Sequence, residues 1–276
     1  MFTRATGYVI VPMWISAMGW LVAHDVWPGF TADDTPVLQA TDWLKTEGLQ
    51  AQFAIHNDMG RLGTIWTAYL IQDTSIRRLD TIWVEQFPLD IAPLRMTVDS
   101  IFTVDGNLDE LTVRLENSSA DILLHGERFH KDFSFVFQNG LSEKPFKVPL
   151  FDGKLISGGA FNPFAALTDL HVGQRWRMQV LNPVALLTGL GDRFIPMLVE
   201  VSGKETVTAA GRDVECVVVE SASAKAWVDA NGAVQVQEMV LPLVGRIRIV
   251  REDSFNEGAR RTAKEGRLYG RRGGQP

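Results

Sequence analysis

Three segments of the chain show the pattern of a β-hairpin, and this pattern constrains the fold more than any other feature. In each, two runs rich in β-branched and aromatic residues flank a short turn, and the turns are Asn57–Gly60, Asp105–Asn107 and Asp229–Gly232. The Asn, Asp and Gly residues in them accept the positive φ, or form the local side-chain hydrogen bond, that a tight turn requires. The pattern therefore predicts antiparallel strands that follow one another along the chain.

Apolar residues alternate with polar ones within the predicted strands. The alternation is regular in Glu110–Glu116 and again at Phe133, Phe135 and Phe137. Because successive side chains of a strand point to opposite faces, these strands have one apolar face and one face that is solvated or contacts a ligand. We expect a mainly β protein with one strongly curved antiparallel sheet, a half-barrel. Short helices are expected to cover part of it, and the candidates are 35–45, 161–170 and 183–190.

A run of seventeen uncharged residues, Gly7–Ala23, lies near the amino end. With the residues up to Trp27 it is long enough for a helix to cross the roughly 30 Å of a bilayer. We interpret it as a retained signal anchor that spans the inner membrane once, with Arg4 in the cytoplasm and the bulk of the chain in the periplasm or outside the cell. A cleaved signal peptide, for which Leu21–Ala23 loosely resembles a cleavage site, and a buried core helix remain alternatives.

The sequence thus divides into five parts: a cytoplasmic amino terminus (1–6), a transmembrane anchor (7–27), a stalk with a short helix (28–50), an extracytoplasmic β-domain (51–255) and a basic tail (256–276). Residues 257–276 carry six basic and two acidic side chains, so we expect the tail to be disordered and solvated. The net charge of the whole chain is -6, so its body is acidic, which argues against nucleic acid as a partner.

No convincing catalytic or metal-binding constellation is found in the sequence. Cys216 is the only cysteine and lies in a β-branched run, so we expect it to be buried in a central strand rather than to act as a nucleophile. His125 and His130 are five residues apart, an odd separation that points them to opposite faces of one strand and away from a shared metal. We therefore expect no enzymatic activity, no metal and no cofactor. An undetected hydrolase is the least favoured alternative.

Several short segments resemble, in their order, uncharacterised β-domains of the bacterial envelope. The segments are Arg61–Trp66, Val172–Met178, Val201–Val207, Glu215–Glu220, Lys225–Val234 and Leu241–Gly245. Those domains are similar in fold to the periplasmic lipoprotein carriers of the Lol system, and related domains precede transglutaminase-like domains. The resemblance implies a strongly curved antiparallel sheet half-wrapped around an apolar cavity, and it carries over no catalytic residue.

Two functions from different classes follow from these observations. The first is a membrane-anchored, non-enzymatic binding protein for a lipid or lipidated molecule, with a role in envelope transport. The second is a structural or interaction subunit of a membrane complex, whose sheet is filled by its own side chains and docks an envelope protein. For the first function, aromatic side chains on a curved sheet either fill its hollow or line it. The expected ligand-binding residues are Trp66, Trp83, Phe164, Trp176 and Trp227.

Overall fold

Fourteen β-strands make up most of the chain that the structure describes. The structure is a computed structural model that describes residues 50–72, 75–86, 93–103, 107–118, 121–140, 142–149, 167, 169–181, 194–241 and 245–265. The strands are β1 (Gln50–Asn57), β2 (Gly60–Gln72), β3 (Ser75–Val84), β4 (Leu94–Thr103), β5 (Leu108–Glu116), β6 (Asp121–Phe129), β7 (Asp132–Asn139), β8 (Ser142–Pro149), β9 (Arg175–Leu181), β10 (Phe194–Ala209), β11 (Arg212–Glu220), β12 (Ala224–Asp229), β13 (Val234–Leu241) and β14 (Gly245–Arg251). A single helix, α1 (Glu257–Glu265), follows β14 in the described part.

The fourteen strands form one antiparallel sheet in the order β8-β7-β6-β5-β4-β3-β2-β1-β14-β13-β12-β11-β10-β9. Strands that follow one another along the chain lie side by side, and β1 also pairs with β14, which joins the two ends of the described sequence. The remaining pair of consecutive strands, β8 and β9, forms the two edges, so the sheet is not closed. The prediction of a mainly β protein with a single antiparallel sheet is confirmed.

The predicted turn chemistry is present in two of the predicted hairpins. In the β1–β2 turn, the backbone N–H groups of Met59 and Gly60 donate to Asn57 Oδ1 at 2.9 and 3.1 Å. In the β12–β13 turn, Asp229 Oδ1 accepts from two backbone N–H groups further along the turn at 2.8 and 3.0 Å. Such local side-chain bonds stabilise the reversal of the chain and therefore fix which strands pair.

One face of the sheet, which we call the core face, carries a continuous cluster of buried apolar side chains. Side chains directly opposite each other on paired strands share a face, so the register assigns each residue to one side. Every strand except β8 contributes a buried residue to this cluster, the half-buried Phe146 and Val148 of β8 pack against it, and Leu167 packs into it from the connection between β8 and β9. Phe133 in β7 and Val199 in β10 lie near the two edges and are both 0% exposed. The core face is therefore shielded from water between β7 and β10, the strands next to the two edges.

The opposite face, the outer face, carries a second and smaller buried cluster. Its members lie on strands β10 to β13 and are Val207, Ala209, Cys216, Val218, Trp227 and Val236. Two bulges accompany it, one between Val201 and Gly203 in β10 and one at Gln235 in β13, opposite Trp227 and Val228. A bulge shifts the pairing register and increases the local twist of the sheet. The bulges therefore change which side chains face outward along these strands.

Helix α1 also packs on the outer face. Asn256 caps its first turn, because Asn256 Oδ1 accepts from the backbone N–H of Ala259 at 2.9 Å. At the other end, Arg95 Nη1 in β4 donates to the carbonyl oxygens of Ala263 and Lys264 at 3.1 and 2.6 Å. The sequence predicts a disordered tail from residue 256, whereas residues 257–265 form this helix.

No helix among the described residues has the length and hydropathy needed to cross a bilayer. The predicted anchor (7–27), the stalk before residue 50 and nearly all of the predicted helices after residue 160 lie outside the described residues.

Candidate functional site

Four phenylalanines on the core face form what we call the aromatic wall: Phe133, Phe135 and Phe137 in β7, and Phe146 in the edge strand β8. The ring centroids of Phe133 and Phe135 are 4.9 Å apart, and those of Phe135 and Phe146 are 5.1 Å apart in a stacked arrangement. Phe133 and Phe135 are fully buried, whereas Phe137 and Phe146 are half-buried. The wall therefore presents partly accessible ring surface close to the open edge of the sheet.

Gly126 in β6 makes room for the aromatic wall. It lies directly opposite Phe135 in the register. A Cβ atom at this position would lie 2.5 Å from Phe135 Cδ1 and 2.7 Å from Phe133 Cε1, far inside normal contact distance. Only a residue without a side chain lets the two rings lie this close to the β6 backbone.

Arg128 carries a positive charge to the same part of the core face. It lies two residues after Gly126 and directly opposite Phe133, so its side chain shares their face. Arg128 Nε donates to the carbonyl oxygen of Leu108 at 3.0 Å. Its Nη2 is buried and has no hydrogen-bond partner among the described residues. A charged donor thus lies beside an apolar wall.

A second charged group on the core face is neutralised within the protein. Arg78 and Asp80 in β3 form an ion pair with an Nε to Oδ2 distance of 3.0 Å, and their side chains are only 3% and 5% exposed. Thr67 Oγ1 donates to Asp80 Oδ1 at 2.6 Å, and the Arg78 guanidinium lies 5.7 Å from the centroid of the Tyr69 ring. This group carries no net charge.

The four predicted tryptophans do not share one face. Trp176 in β9 lies on the core face, opposite Val199, and is 1% exposed. Trp66 and Trp83 lie on the outer face: Trp66 is opposite Gln52 and donates its Nε1–H to Gln52 Oε1 at 2.8 Å, and Trp83 is opposite Arg95. That these residues contact a ligand stays a prediction.

Trp227 lies on the outer face in the second cluster, and Phe164 lies outside the described residues. Trp227 Nε1 donates to Glu205 Oε2 at 2.7 Å, and Lys225 Nζ lies 4.7 Å from its ring centroid. Hydrogen bonds from Trp227 and Lys225 hold the pKa of Glu205 below its usual value. The indole is thus engaged at its N–H and on its ring, as expected for a structural residue.

Cys216 is buried, as predicted, in the outer-face cluster. It is 2% exposed in β11, an interior strand that is third from the β9 edge. Burial, followed by the charges of Asp229 and Glu215, raises the pKa of its thiol to about 11. A thiol that stays protonated at neutral pH is a poor nucleophile.

His125 and His130, which the sequence predicts not to share a metal, are separated by the end of strand β6. His125 lies within β6, where its Nε2 is 3.1 Å from Glu127 Oε1, and His130 lies in the following turn with a φ of 57°. No group of three or more potential ligands that could hold a metal ion occurs in the described part of the chain.

A groove of about 380 Å³ opens between β1, β14 and the turn that joins β10 and β11. Its lining includes His56 and Glu252. Burial and the charge of Arg61 lower the pKa of His56. Burial opposes a lower pKa at Glu252, but hydrogen bonds from Arg61 and Gln52 outweigh it and hold the pKa of this carboxyl below its usual value. Polar and apolar groups line the groove in equal measure and its carboxylate is already paired, so it suits an apolar ligand less well than a wholly apolar surface does.

Sequence reasoning missed Gly126, Arg128 and Phe146 as members of a candidate site. The alternation at Phe133, Phe135 and Phe137 marked β7, but nothing local indicated that β6 would place a glycine and an arginine on the same face. The signal that could have found Arg128 is a charged residue on the face of a predicted strand that is otherwise apolar.

No protein-family model matches the chain, and no curated protein matches its sequence. One solved structure similar to it is a β-barrel-like protein of the domain of unknown function DUF1849 from Brucella abortus, at 9% identity and a TM-score of 0.46, with 74% of this chain and 98% of that chain covered. Another is a DUF1089 family protein from Pseudomonas aeruginosa, at 17% identity and a TM-score of 0.33, with 65% and 90% covered. At these values neither likeness places the chain in a family, and the resemblance to lipoprotein carriers stays a prediction.

Proposed function

We propose that the chain is a non-enzymatic binding protein that holds an apolar molecule, such as a lipid or a lipidated molecule, against the core face. The ligand lies along the aromatic wall, at the open edge that β8 forms. The proposal includes the anchor: residues 7–27 hold the protein in the inner membrane, and the β-domain lies outside the cytoplasm.

One observation carries the proposal: the apolar core face reaches an edge of the sheet where its aromatic side chains are only half-buried. Phe137 and Phe146 retain accessible ring surface, whereas Phe133 and Phe135 behind them are fully buried. Ligand sites for apolar molecules are lined predominantly by hydrophobic and aromatic side chains. A sheet curved into a half-barrel around this face would enclose such a ligand on several sides.

The outer face supports binding of an apolar molecule less well. Trp227, the largest side chain of its cluster, is 6% exposed, and its ring and N–H are already engaged by Lys225 and Glu205. The groove beside His56 is lined by polar as well as apolar groups. An apolar ligand therefore gains more by contact with the aromatic wall.

The proposal is tested with N-phenyl-1-naphthylamine, an uncharged probe whose fluorescence rises in an apolar site. We expect the wild-type protein to bind it. Phe146→Ala is expected to lower the affinity about tenfold, because the accessible part of the Phe146 ring no longer contacts the probe. Phe129→Ala is the matched control, because Phe129 lies on the outer face, in β6, and is 60% exposed. The control is expected to bind like the wild type.

Failure of the wild-type protein to bind the probe would overturn the proposal and leave the interaction subunit as the better account. Equal loss of affinity in Phe146→Ala and Phe129→Ala would place the probe elsewhere. The proposed location has its own test, a set of reporter fusions after residue 40, for which we expect signal only outside the cytoplasm.

A further inference from the structure

We infer that Arg128 binds the anionic head group of the ligand, so that the ligand is an amphipathic anion with a carboxylate or phosphate on an apolar body. The inference rests on the proposed function and specifies the ligand class for the same site.

Arg128 differs from the arginines of strands β3 to β5 in what its guanidinium contacts. Neighbouring arginines pair with carboxylates: Arg77 with Asp99, Arg95 with Glu116, and Arg114 with Asp121. On the core face itself, Arg78 pairs with Asp80. Among the described residues, Arg128 has no carboxylate partner, and its one hydrogen bond is to the neutral carbonyl of Leu108.

The unpaired nitrogen of Arg128 is costly to the folded protein. Its Nη2 is buried and donates to no described acceptor. A guanidinium does not lose its proton in a protein, so the group cannot escape the cost by becoming neutral. A buried donor of this kind needs an acceptor, and a charged acceptor gives the strongest hydrogen bond.

The surroundings of Arg128 select the kind of anion. Phe133, directly opposite on β7, and Leu108 beside it are both 0% exposed and apolar. No acidic side chain among the described residues forms an ion pair with Arg128. A small hydrated anion would gain little from these neighbours, whereas an anion with an apolar tail can pair with Arg128 and lay its tail along the aromatic wall.

The test compares two ligands of equal chain length, palmitate and hexadecanol, in displacing N-phenyl-1-naphthylamine from the full-length protein. A third competitor, an alkyl phosphate of the same length, distinguishes phosphate from carboxylate. We expect the wild type to prefer palmitate or the alkyl phosphate over hexadecanol by about tenfold or more, because only the charged head pairs with Arg128.

In Arg128→Gln the preference is expected to disappear while the affinity for hexadecanol stays unchanged. Arg246→Gln, at an exposed position of β14, is the matched control and is expected to keep the preference. If Arg128→Gln does not fold, Arg128→Lys keeps the charge and is expected to retain part of the preference.

The possible outcomes distinguish failure of the proposed function from failure of the role inferred for Arg128. If the wild type binds neither the probe nor any competitor, the proposed function fails. If it binds palmitate and hexadecanol equally well, the proposed function stands but the inference is overturned, and water alone satisfies Arg128. A preference for the anion that persists in Arg128→Gln also overturns the inference.

Discussion

The Trp227 cluster on the outer face and the aromatic wall on the core face both bury aromatic side chains, but the polar groups beside them differ. On the outer face, Trp227 donates to Glu205, and that carboxylate also accepts from Lys225 at 3.0 Å. On the core face, Arg128 lies directly opposite Phe133 and keeps a buried nitrogen without a partner among the described residues. A buried aromatic residue therefore marks a structural site where its polar neighbours are satisfied. Where a polar neighbour is not satisfied, a site for a ligand is the better interpretation.

The largest effect that would test this comparison is on stability. Trp176→Ala on the core face is expected to lower the free energy of unfolding by about 3–5 kcal/mol, because the ring is 1% exposed. Trp83→Ala on the outer face removes a half-buried ring and is expected to cost about 1–2 kcal/mol. Urea denaturation of both variants measures the difference. Equal costs would mean that the core face packs no more tightly at β9 than the outer face does at β3.

A glycine pair gives the next largest effect. Gly126→Ala forces a Cβ against Phe133 and Phe135, so we expect a loss of about 1–3 kcal/mol. Gly203→Ala meets nothing within 4 Å and is expected to change stability by about 0.5 kcal/mol or less. Thermal and urea unfolding measure both. A harmless Gly126→Ala would indicate that the aromatic wall rearranges freely.

Cys216 probes the outer-face cluster. Cys216→Ala leaves a small cavity there and is expected to cost about 1–2 kcal/mol without changing probe affinity. Because the thiol is buried and its pKa is raised to about 11, a thiol reagent should label the native protein slowly at neutral pH. Rapid labelling under native conditions would argue that this cluster opens readily.

The smallest effect concerns the acid sensitivity of α1. Hydrogen bonds from Arg260 and Arg261 lower the pKa of Glu257 from 4.5 to about 2. A carboxyl with a lowered pKa in the folded state stabilises that state above its unfolded pKa, and the contribution is lost as the pH falls. Backbone carbon chemical shifts of 257–265 should therefore report loss of helix between about pH 4.5 and 2. In Glu257→Gln this pH dependence should be absent.

The turns and the strand succession could be predicted from the sequence because their causes are local. Asn57 and Asp229 form bonds within their own turns, and the predicted hairpins around them are present. Burial of Cys216 followed from its β-branched neighbours for the same reason.

The face of each tryptophan and the order in α1 could not be predicted from local sequence. Which face each tryptophan takes depends on the pairing of its strand with its neighbours, and a bulge at Gln235, opposite Trp227 and Val228, interrupts the alternation in β13. Helix α1 is held at its end by Arg95, which lies more than 160 residues away in the chain. Whether Arg128 Nη2 finds a hydrogen-bond partner depends on which residues of β5 and β7 lie beside β6. Only the pairing of the strands determines those neighbours.

The most direct test of the account is photo-crosslinking with an uncharged fatty alcohol that carries a diazirine, followed by mass spectrometry of the labelled peptides. We expect labels concentrated in 121–149, on the core-face residues of β6, β7 and β8, and weaker labelling there in Phe146→Ala. Labels confined to outer-face residues of 205–240, with none in 121–149, would contradict the claim that the aromatic wall holds the ligand.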